Sequence, residues 1–282
     1  MNLTGSRKRK FHFYKEKKHH YFDIEIISDL AGAQNTFKAL VKKEIRDFFV
    51  NNWKDFGDEF LDHSLLDSKW ILLVRKKDRL IAIATVHKIR LEGKTFYNFK
   101  TDGVAPQYQS IGLLGRMSQI LFSYAYIDNL ITQRSFDIEI IFTTPNLRIL
   151  GLFSKNSTHI YPNPYKFDQD KKSIELPDET TWKYVQAYNK VDFPPNLPLS
   201  KEACVIEDNT SEWPYICYEK SGGIPYYKEQ IVNEFGDHYL RYKEGKKRMF
   251  IVYAHITFVD VIRYFVKVTL RLVKDIVNLY SR

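Results

Sequence analysis

Apolar and polar residues alternate between strand-like and helix-like spacing along the first part of the chain. Apolar runs of strand length predict strands at 21–28 and 136–144, and three more within 70–104 that are separated at Lys77-Asp78 and Glu92-Gly93. Helical spacing predicts helices over 33–53, 55–66 and 112–128, and Pro145 begins a short helix over 145–156. Because tight polar turns join antiparallel strands, this order predicts a mixed α/β fold with a mainly antiparallel sheet flanked by helices.

The chain beyond residue 165 has a different pattern. Apolar runs in KEACVIED, WPYICYEK and KRMFIVYAHITF predict a strand-rich C-terminal lobe over 166–253. The segment 254–282 has polar positions spaced by threes and fours, which predicts a terminal amphipathic helix with one basic face. These positions are Asp260, Arg263, Lys267, Arg271, Lys274 and Asn278. Burial against the body, attachment to a membrane surface and self-association are alternatives for the apolar face of this helix.

Composition and charge narrow the class of protein. A chain of 282 residues that is 44% hydrophobic can bury a sizeable core, and two cysteines are too few for a disulfide framework or a paired zinc motif, so we expect no metal. Residues 1–20 hold seven Lys/Arg and one Glu and are expected to form a basic tail that precedes a domain over 21–165. Without a secretory signal or a membrane-length apolar run, a cytoplasmic protein is expected, with peripheral attachment to the inner face of the membrane as an alternative.

The stretch TDGVAPQYQSIGLLGRMSQILFSYAYI, residues 101–127, has the pattern of an anion-binding site. A strand leads into a short loop that contains glycines, and a helix follows. The first N–H groups of a helix lack intrahelical partners, so they can bind a phosphate, and glycine allows close approach. The residues predicted to bind it are Gln109, Ser110, Ile111, Gly112, Leu113, Leu114 and Gly115.

These motifs in this order resemble the GNAT superfamily of acyl-CoA N-acyltransferases over roughly residues 21–165. That family has a strand ending in V-x-P, then [Q/R]-x-x-G-x-[G/A] and a long helix. Val104, Pro106, Gln109 and Gly112 stand in register with it, whereas Leu114 replaces the usual Gly or Ala and Gly115 comes one residue late. FTTPNLRILGLFSKN then supplies Asn146, Phe153 and Lys155, and its F-x-T-P-N turn is similar to a GNAT branch of polysaccharide and cell-surface biosynthesis.

The resemblance implies an acyl-CoA co-substrate, acetyl-CoA first, and a small-molecule amine acceptor such as an amino sugar. The cofactor-binding positions that the resemblance implies are the 109–115 loop, Asn146 and Val104. The backbone amide of Val104 is also a candidate donor to the oxyanion. Asp102, on the same strand face as Val104, is the first candidate for the general base, and His87 is the second. Phe153 stands where the family has its acidic Tyr, so Tyr161 is the candidate for the general acid.

Each of these assignments has an alternative. Asp102 could cap a turn with Gly103, His87 could be a core residue, and Tyr161 could serve packing alone. The phosphate-loop, nucleophile-elbow and HExxH motifs are missing from the sequence, and no nucleic-acid motif surrounds the basic ends, so nucleic acid is not expected as a partner. The rival hypothesis is a GNAT-fold protein with an eroded site that acts through its basic ends at a membrane or a partner.

Overall fold

The computed structural model describes residues 5–15, 18–53, 55–193, 197–207, 226–264 and 266. The described residues form two compact units: unit 1 lies within 5–128, and unit 2 lies within 129–207 and 226–266. Together they give a mixed α/β protein with mostly antiparallel strands flanked by helices, so the predicted fold class is confirmed.

Unit 1 contains five consecutive strands that lie side by side in chain order, each antiparallel to the next. They are β1 (Gly5–Lys15), β2 (Lys18–Ser28), β3 (Ser68–Lys76), β4 (Arg79–Leu91) and β5 (Lys94–Val104). Two helices, α1 (Asn35–Asn52) and α2 (Gly57–Leu66), connect β2 to β3. Helix α3 (Leu113–Gln133) follows β5 and ends in unit 2.

The turns of the β3–β4–β5 meander lie where the sequence predicts them. Lys77 and Asp78 have φ values of 50° and 61°, and Glu92 and Gly93 have φ values of 48° and 84°. Positive φ at both central residues is the requirement of a type I′ hairpin turn, whose backbone matches the twist of the strands. The meander delivers β5 to the start of α3.

Helices pack on both faces of the unit 1 sheet. On one face, Phe48, Phe49 and Trp53 at the end of α1 join Leu61 and Leu65 of α2 in one buried apolar cluster with the strands. On the opposite face, the ring of Trp70 lies 6.2 Å from Tyr97 of the sheet and 6.1 Å from Tyr124 of α3, measured between centroids. A residue of β4 or β5 therefore faces either α1 and α2 or the side of α3.

The N-terminal segment differs from the tail that we expected. Residues 5–15 form β1, which pairs with β2 from Gly5–Ser28 to Lys15–Lys18, so the strand expected at 21–28 begins at Lys18. Alternating side chains on β2 place Phe22, Ile24 and Ile26 in the core, and pairing with such a strand orders a basic segment that has little apolar content of its own.

Unit 2 is arranged around one long strand. Strand β10 (Arg248–Ile256) pairs antiparallel with β6 (Ile138–Thr144), β7 (His159–Tyr161) and β9 (Val205–Glu207), and β9 pairs with β8 (Leu199–Ser200). The α-helices that the structure describes in this unit are α4 (Leu147–Asn156), α5 (Glu179–Asp192), α6 (Gln230–Leu240) and α7, which is described over residues 258–264 and 266.

The structure of the C-terminal part of the chain differs from the sequence-based expectations or leaves them untested at three points. The lobe over 166–253 is not only stranded, because it also contains α5 and α6. Strand β10 extends to Ile256, past the predicted boundary at 254, and α7 begins at residue 258. The strand predicted in WPYICYEK lies outside the described residues. No helix in the described part of the chain is long and apolar enough to cross a membrane.

Candidate functional site

The connection between β5 and α3 is a compact turn. Strand β5 ends at Val104, a 3-10 helix runs over Pro106–Ile111, and α3 begins at Leu113. Gly112 joins the two helices with φ 78° and ψ 21°, a left-handed conformation that glycine adopts without strain because it lacks a Cβ. The glycine of the predicted loop is therefore at the point where the backbone reverses into α3.

Hydrogen bonds tie this turn to the end of β5. The side-chain amide of Gln109 donates to the carbonyl of Val104 at 3.0 Å, and the N–H of Tyr108 donates to the carbonyl of Ala105 at 2.8 Å. The Gln109 side chain thus links the turn to the last residue of β5.

The first turn of α3 offers backbone N–H groups. The N–H of Arg116 donates to the carbonyl of Gly112, which makes it the first intrahelical bond, so the amides of Leu113, Leu114 and Gly115 have no carbonyl four residues earlier in the helix. Acidic side chains are missing from this turn, whose helix dipole is positive. Leu113 is fully buried, so the amides that a ligand can reach in this turn are those of the half-buried Leu114 and Gly115.

Space and charge around this turn also suit an anion. A Cβ added at Gly115 would meet nothing within 4 Å. Arg116 follows directly, so a cationic residue stands in the first turn of α3. Arg116 was not among the predicted site residues, although a cation in the first turn after a glycine loop was a signal in the sequence.

The end of β5 leaves one backbone donor directed away from β4. Val104 stands opposite Ala82, and the N–H of the next residue, Ala105, donates to the carbonyl of Ile81 at 2.9 Å. In an antiparallel pair, hydrogen-bonded and non-hydrogen-bonded positions alternate, so the N–H of Val104 points to the other side of the strand. This direction suits the role of oxyanion donor that the sequence predicts for Val104.

A β-bulge lies just before Asp102. Ala84 pairs with Asp102 and Val86 with Phe99, so β5 has one extra residue here, and the N–H of Thr101 donates to the hydroxyl of Thr85 at 3.0 Å. Bulges change the direction of side chains and are common near active sites.

Asp102 itself faces away from α1 and α2. Its neighbour Gly103 points toward them, since a Cβ added at Gly103 would lie 3.4 Å from the rings of Phe48 and Trp53. Both residues belong to β5, so the alternative that Asp102 caps a turn does not hold.

Two properties of the Asp102 carboxyl point in different directions. The residue is exposed by accessible area, yet desolvation by the surrounding protein raises the pKa of Asp102 to about 6. A side chain that water reaches in a concave part of the surface shows both properties, because accessible area records contact with water whereas desolvation records the nearby protein. The carboxyl is ionised and able to accept a proton above about pH 6.

His87 does not share a site with Asp102. It is 3% exposed, and its Nε2 lies 3.3 Å from the carbonyl of Ser64 in α2. It stands three positions from Ala84 along β4, and side chains alternate along a strand, so His87 and Asp102 are on opposite faces of the sheet. The core interpretation of His87 fits this position, and we do not propose it as a base.

Asn146 and Tyr161 belong to unit 2. The side chain of Asn146 caps α4, accepting from the N–H of Arg148 at 3.0 Å and of Ile149 at 3.4 Å, so Pro145 precedes the cap and is not in the first turn. The predicted cofactor-binding side chain is thus also a structural cap, in the position that the sequence indicated.

The two aromatic residues considered for the acid have different surroundings. Phe153 packs on Phe142 with ring centroids 4.8 Å apart. Tyr161 lies at the end of β7, and its hydroxyl accepts from the N–H of Ala203 at 3.1 Å. Burial raises the pKa of Tyr161 above its ordinary value, so this phenol keeps its proton at neutral pH.

No known protein family matches this chain, and no curated protein sequence matches it. Solved structures with a similar arrangement include acetyltransferases. They include Arabidopsis thaliana Naa50 with a bisubstrate analogue (14% identity, 50% of this chain, 89% of that chain, TM-score 0.35). A GNAT family acetyltransferase from Elizabethkingia anophelis with acetyl-CoA bound has 19% identity over 55% of this chain and 88% of its own, with TM-score 0.31. The Escherichia coli ribosomal-protein-S18-alanine N-acetyltransferase has 14% identity over 52% and 86%, with TM-score 0.33. Likeness at this level carries no inference about activity, so the case for a function depends on the residues of the turn.

Proposed function

We propose that this protein is an acyl-CoA-dependent N-acyltransferase that transfers an acyl group, acetyl first, to a small-molecule amine. The observation that supports it most is the β5–α3 turn. Gly112 in its left-handed conformation leads into the first-turn amides of α3, with open space at Gly115 and no acidic side chain in that turn. A helix start of this kind binds phosphate groups, and acyl-CoA brings a pyrophosphate.

The unit 1 residues have the chemistry that acyl transfer needs. An amine must lose its proton before its nitrogen attacks the thioester carbon, and Asp102 accepts that proton above about pH 6. The carbonyl oxygen becomes an oxyanion as the C–N bond forms, and the N–H of Val104 donates to it. The C–S bond then breaks, and the CoA thiolate leaves and takes a proton from solvent. Asn146 enters this proposal through its motif position, and Tyr161 stays a candidate for the acid because it lies a few residues beyond Phe153, which stands where the family has its acidic Tyr.

An amino sugar or another cell-surface precursor is the acceptor we propose. Its support is the similarity of the F-x-T-P-N turn to the GNAT branch of polysaccharide and cell-surface biosynthesis. In the structure the Thr144 hydroxyl accepts from the N–H of Asn146 at 2.9 Å, and Asn146 caps α4. The rival function, binding without catalysis, has its own support in Leu114 and Phe153, which replace residues that the family usually has there.

Isothermal titration with CoA and acetyl-CoA tests the proposal. Substitution at Gly112 is a poor control, because any side chain at φ 78° strains the backbone. Gly115 is better, since its Cβ position is open and a residue other than glycine favours a helix. Gly115→Glu adds a charge that suits a helix start but repels a pyrophosphate, and Gly115→Gln has the same size without the charge.

We expect micromolar binding by the wild type, a loss in Gly115→Glu and a much smaller effect in Gly115→Gln. Circular dichroism of both variants shows whether they fold. Absence of binding by a folded wild type refutes the acyl-CoA site and favours the non-catalytic function. Binding that Gly115→Glu leaves unchanged refutes the location of the site.

A further inference from the structure

Strand β1 is the edge of the unit 1 sheet and presents a row of cations. Its partner among the described strands is β2. Arg7, Lys8, Arg9 and Lys10 are all exposed. Since side chains alternate along a strand, Lys8 and Lys10 lie on one face and the two arginines on the other.

The positive charge on the lysine face is only partly balanced. Lys8 stands opposite Glu25 and Lys10 opposite Asp23. Glu25 already accepts a hydrogen bond from Arg75 at 2.7 Å and is buried, so its charge is matched elsewhere. Asp23 is then the exposed carboxylate opposite the two exposed lysines.

Three exposed rings lie on this same face. The register places His12 opposite Tyr21, and His19 is two residues before Tyr21 on β2. The ring centroids of His12, His19 and Tyr21 are 5.7 to 6.3 Å apart, and the ring planes are within 30° of parallel. Tyr21 is 66% exposed, so these rings, which we call the ring patch, offer aromatic surface to solvent.

An edge strand protected by charge alone would not need this patch. Lysines and arginines on an edge are sufficient to prevent pairing with another chain. Exposed aromatic rings beside these cations do not protect the edge strand from pairing. A cluster of exposed rings marks an interaction site. Two of the three rings are imidazoles, which suit a polar ring partner better than hydrocarbon chains.

We infer that the lysine face of the β1–β2 hairpin binds single-stranded RNA, with Lys8 and Lys10 on phosphates and the ring patch stacked on bases. Aromatic rings beside a basic track are the two parts that single-strand binding uses. RNA is the nucleic acid whose loops and ends ordinarily present unpaired bases to Tyr and His. The sequence did not lead us to expect nucleic acid, because pairing of β1 with β2 is what brings His12 beside Tyr21.

Fluorescence anisotropy of a labelled oligouridylate with the full chain tests this inference. The variants are Lys8→Ala/Lys10→Ala, Tyr21→Ala and Tyr21→Phe. The charge-matched control is Arg90→Ala/Lys190→Ala, two exposed cations of β4 and α5. All of these positions lie outside the 109–115 turn, so CoA binding should persist in each variant. The test of RNA binding is therefore independent of the test of the proposed acyl transfer.

We expect the lysine pair variant to weaken binding and to reduce the slope of log affinity against log salt by about 1.4, about 0.7 for each lost phosphate contact. Tyr21→Ala should weaken binding about 5- to 150-fold, the effect of one lost base stack, and Tyr21→Phe should bind as the wild type does. The control pair should change affinity far less than the lysine pair.

Several results would overturn the inference. One is an equal loss in the control and the lysine pair, which indicates general charge attraction. Another is a folded Tyr21→Ala protein with unchanged affinity, and a third is duplex RNA bound as tightly as the single strand. Absence of oligouridylate binding, together with flotation on phosphatidylserine vesicles that depends on Lys8 and Lys10, would assign the face to a membrane surface in place of RNA.

Discussion

The side-chain amide of Gln109 donates to the carbonyl oxygen of Val104 at 3.0 Å, so the last residue of β5 is held by the turn that begins α3. Val104 is the candidate oxyanion donor, and the turn is the candidate phosphate site. One side chain therefore couples the positions of the two parts of the proposed site.

Replacing Gln109 by leucine should weaken CoA binding. The variant removes a hydrogen bond, whose contribution is about 0.5–1.5 kcal/mol, so we expect the dissociation constant for CoA to rise about 2- to 12-fold by titration. Gln107→Leu is the matched control, since Gln107 is an exposed residue of the same turn. Equal effects of the two substitutions would show that the bond to Val104 has no part in binding.

The raised pKa of Asp102 predicts how stability depends on pH. A carboxyl whose pKa is about 6 in the folded chain, above the ordinary value near 3.8, favours folding when protonated. Its ionisation therefore destabilises the fold progressively as the pH rises from about 4 to about 6. Asp102→Asn removes this effect. In urea unfolding, the free energy of unfolding of the variant relative to that of the wild type should therefore increase between pH 4.5 and pH 7. A difference in free energy of unfolding between variant and wild type that stays constant over this pH range contradicts the assigned pKa of Asp102.

The same carboxyl predicts the pH dependence of catalysis. If an acceptor screen that begins with glucosamine finds acetyl transfer, kcat/KM should rise through about pH 6 as Asp102 ionises. Asp102→Asn should lower the rate about 10²- to 10⁴-fold, the usual contribution of a general base, while the titrated affinity for CoA stays the same. A folded variant with the wild-type rate excludes Asp102 as the base.

Arg75 should be the most important cation for the stability of unit 1. Its guanidinium binds Glu44 of α1 through two hydrogen bonds of 2.6 Å and Glu25 of β2 at 2.7 Å. Arg75→Met leaves Glu25, with a side chain 6% exposed, without its cation, and breaking such a buried pair costs about 3–5 kcal/mol.

Urea denaturation measures this loss, with Arg46→Met as the control. Arg46 also binds two carboxylates, Asp55 and Asp58, but all three side chains are well exposed, so its loss should shift the midpoint only slightly. Similar shifts for the two arginine variants would contradict the argument from burial.

The end of the chain should contribute to membrane attachment. The start of α7 has exposed apolar side chains: Phe258, Val259, Ile262 and Val266. Sequence spacing adds a basic face further along, so full-length protein should float with phosphatidylserine vesicles and dissociate in high salt.

A chain that ends at residue 266 is the appropriate comparison. Ending near residue 253 would remove the last residues of β10 and also Asp260, which accepts hydrogen bonds from the N–H groups of Thr158 and Thr257 at 3.3 and 3.2 Å. We expect the shorter chain to float less than the full chain. Equal flotation of the two excludes attachment through the residues after 266.

Some parts of the structure were predictable because their causes are local. The turns at Lys77-Asp78 and Glu92-Gly93 require positive φ at adjacent residues, and polar or glycine pairs meet that requirement within the turn itself. Asn146 caps the helix that it precedes, with partners two and three residues away. The turn from β5 to α3 is likewise defined by residues close in sequence.

Other parts were missed although local signals existed. Helix α5 has a capping residue, Asp178, whose carboxylate accepts from the N–H of Thr181 at 2.8 Å, and its buried Tyr184 and Tyr188 are four residues apart. Aromatic and β-branched residues have high strand propensity, so this lobe was expected to be rich in strands. Packing on the strands of unit 2 stabilises residues 179–192 as a helix instead.

By itself the sequence determined the strand and helix order of residues 21–165, the turns between them and the glycine turn that suits a phosphate, since each depends on residues within a few positions of one another. Only the tertiary structure decided that His87 and Asp102 face opposite sides of the sheet and that the basic N-terminal segment is a strand beside β2. Those relationships depend on the register between strands and on which face the helices cover, and hydrogen bonding between distant segments sets both.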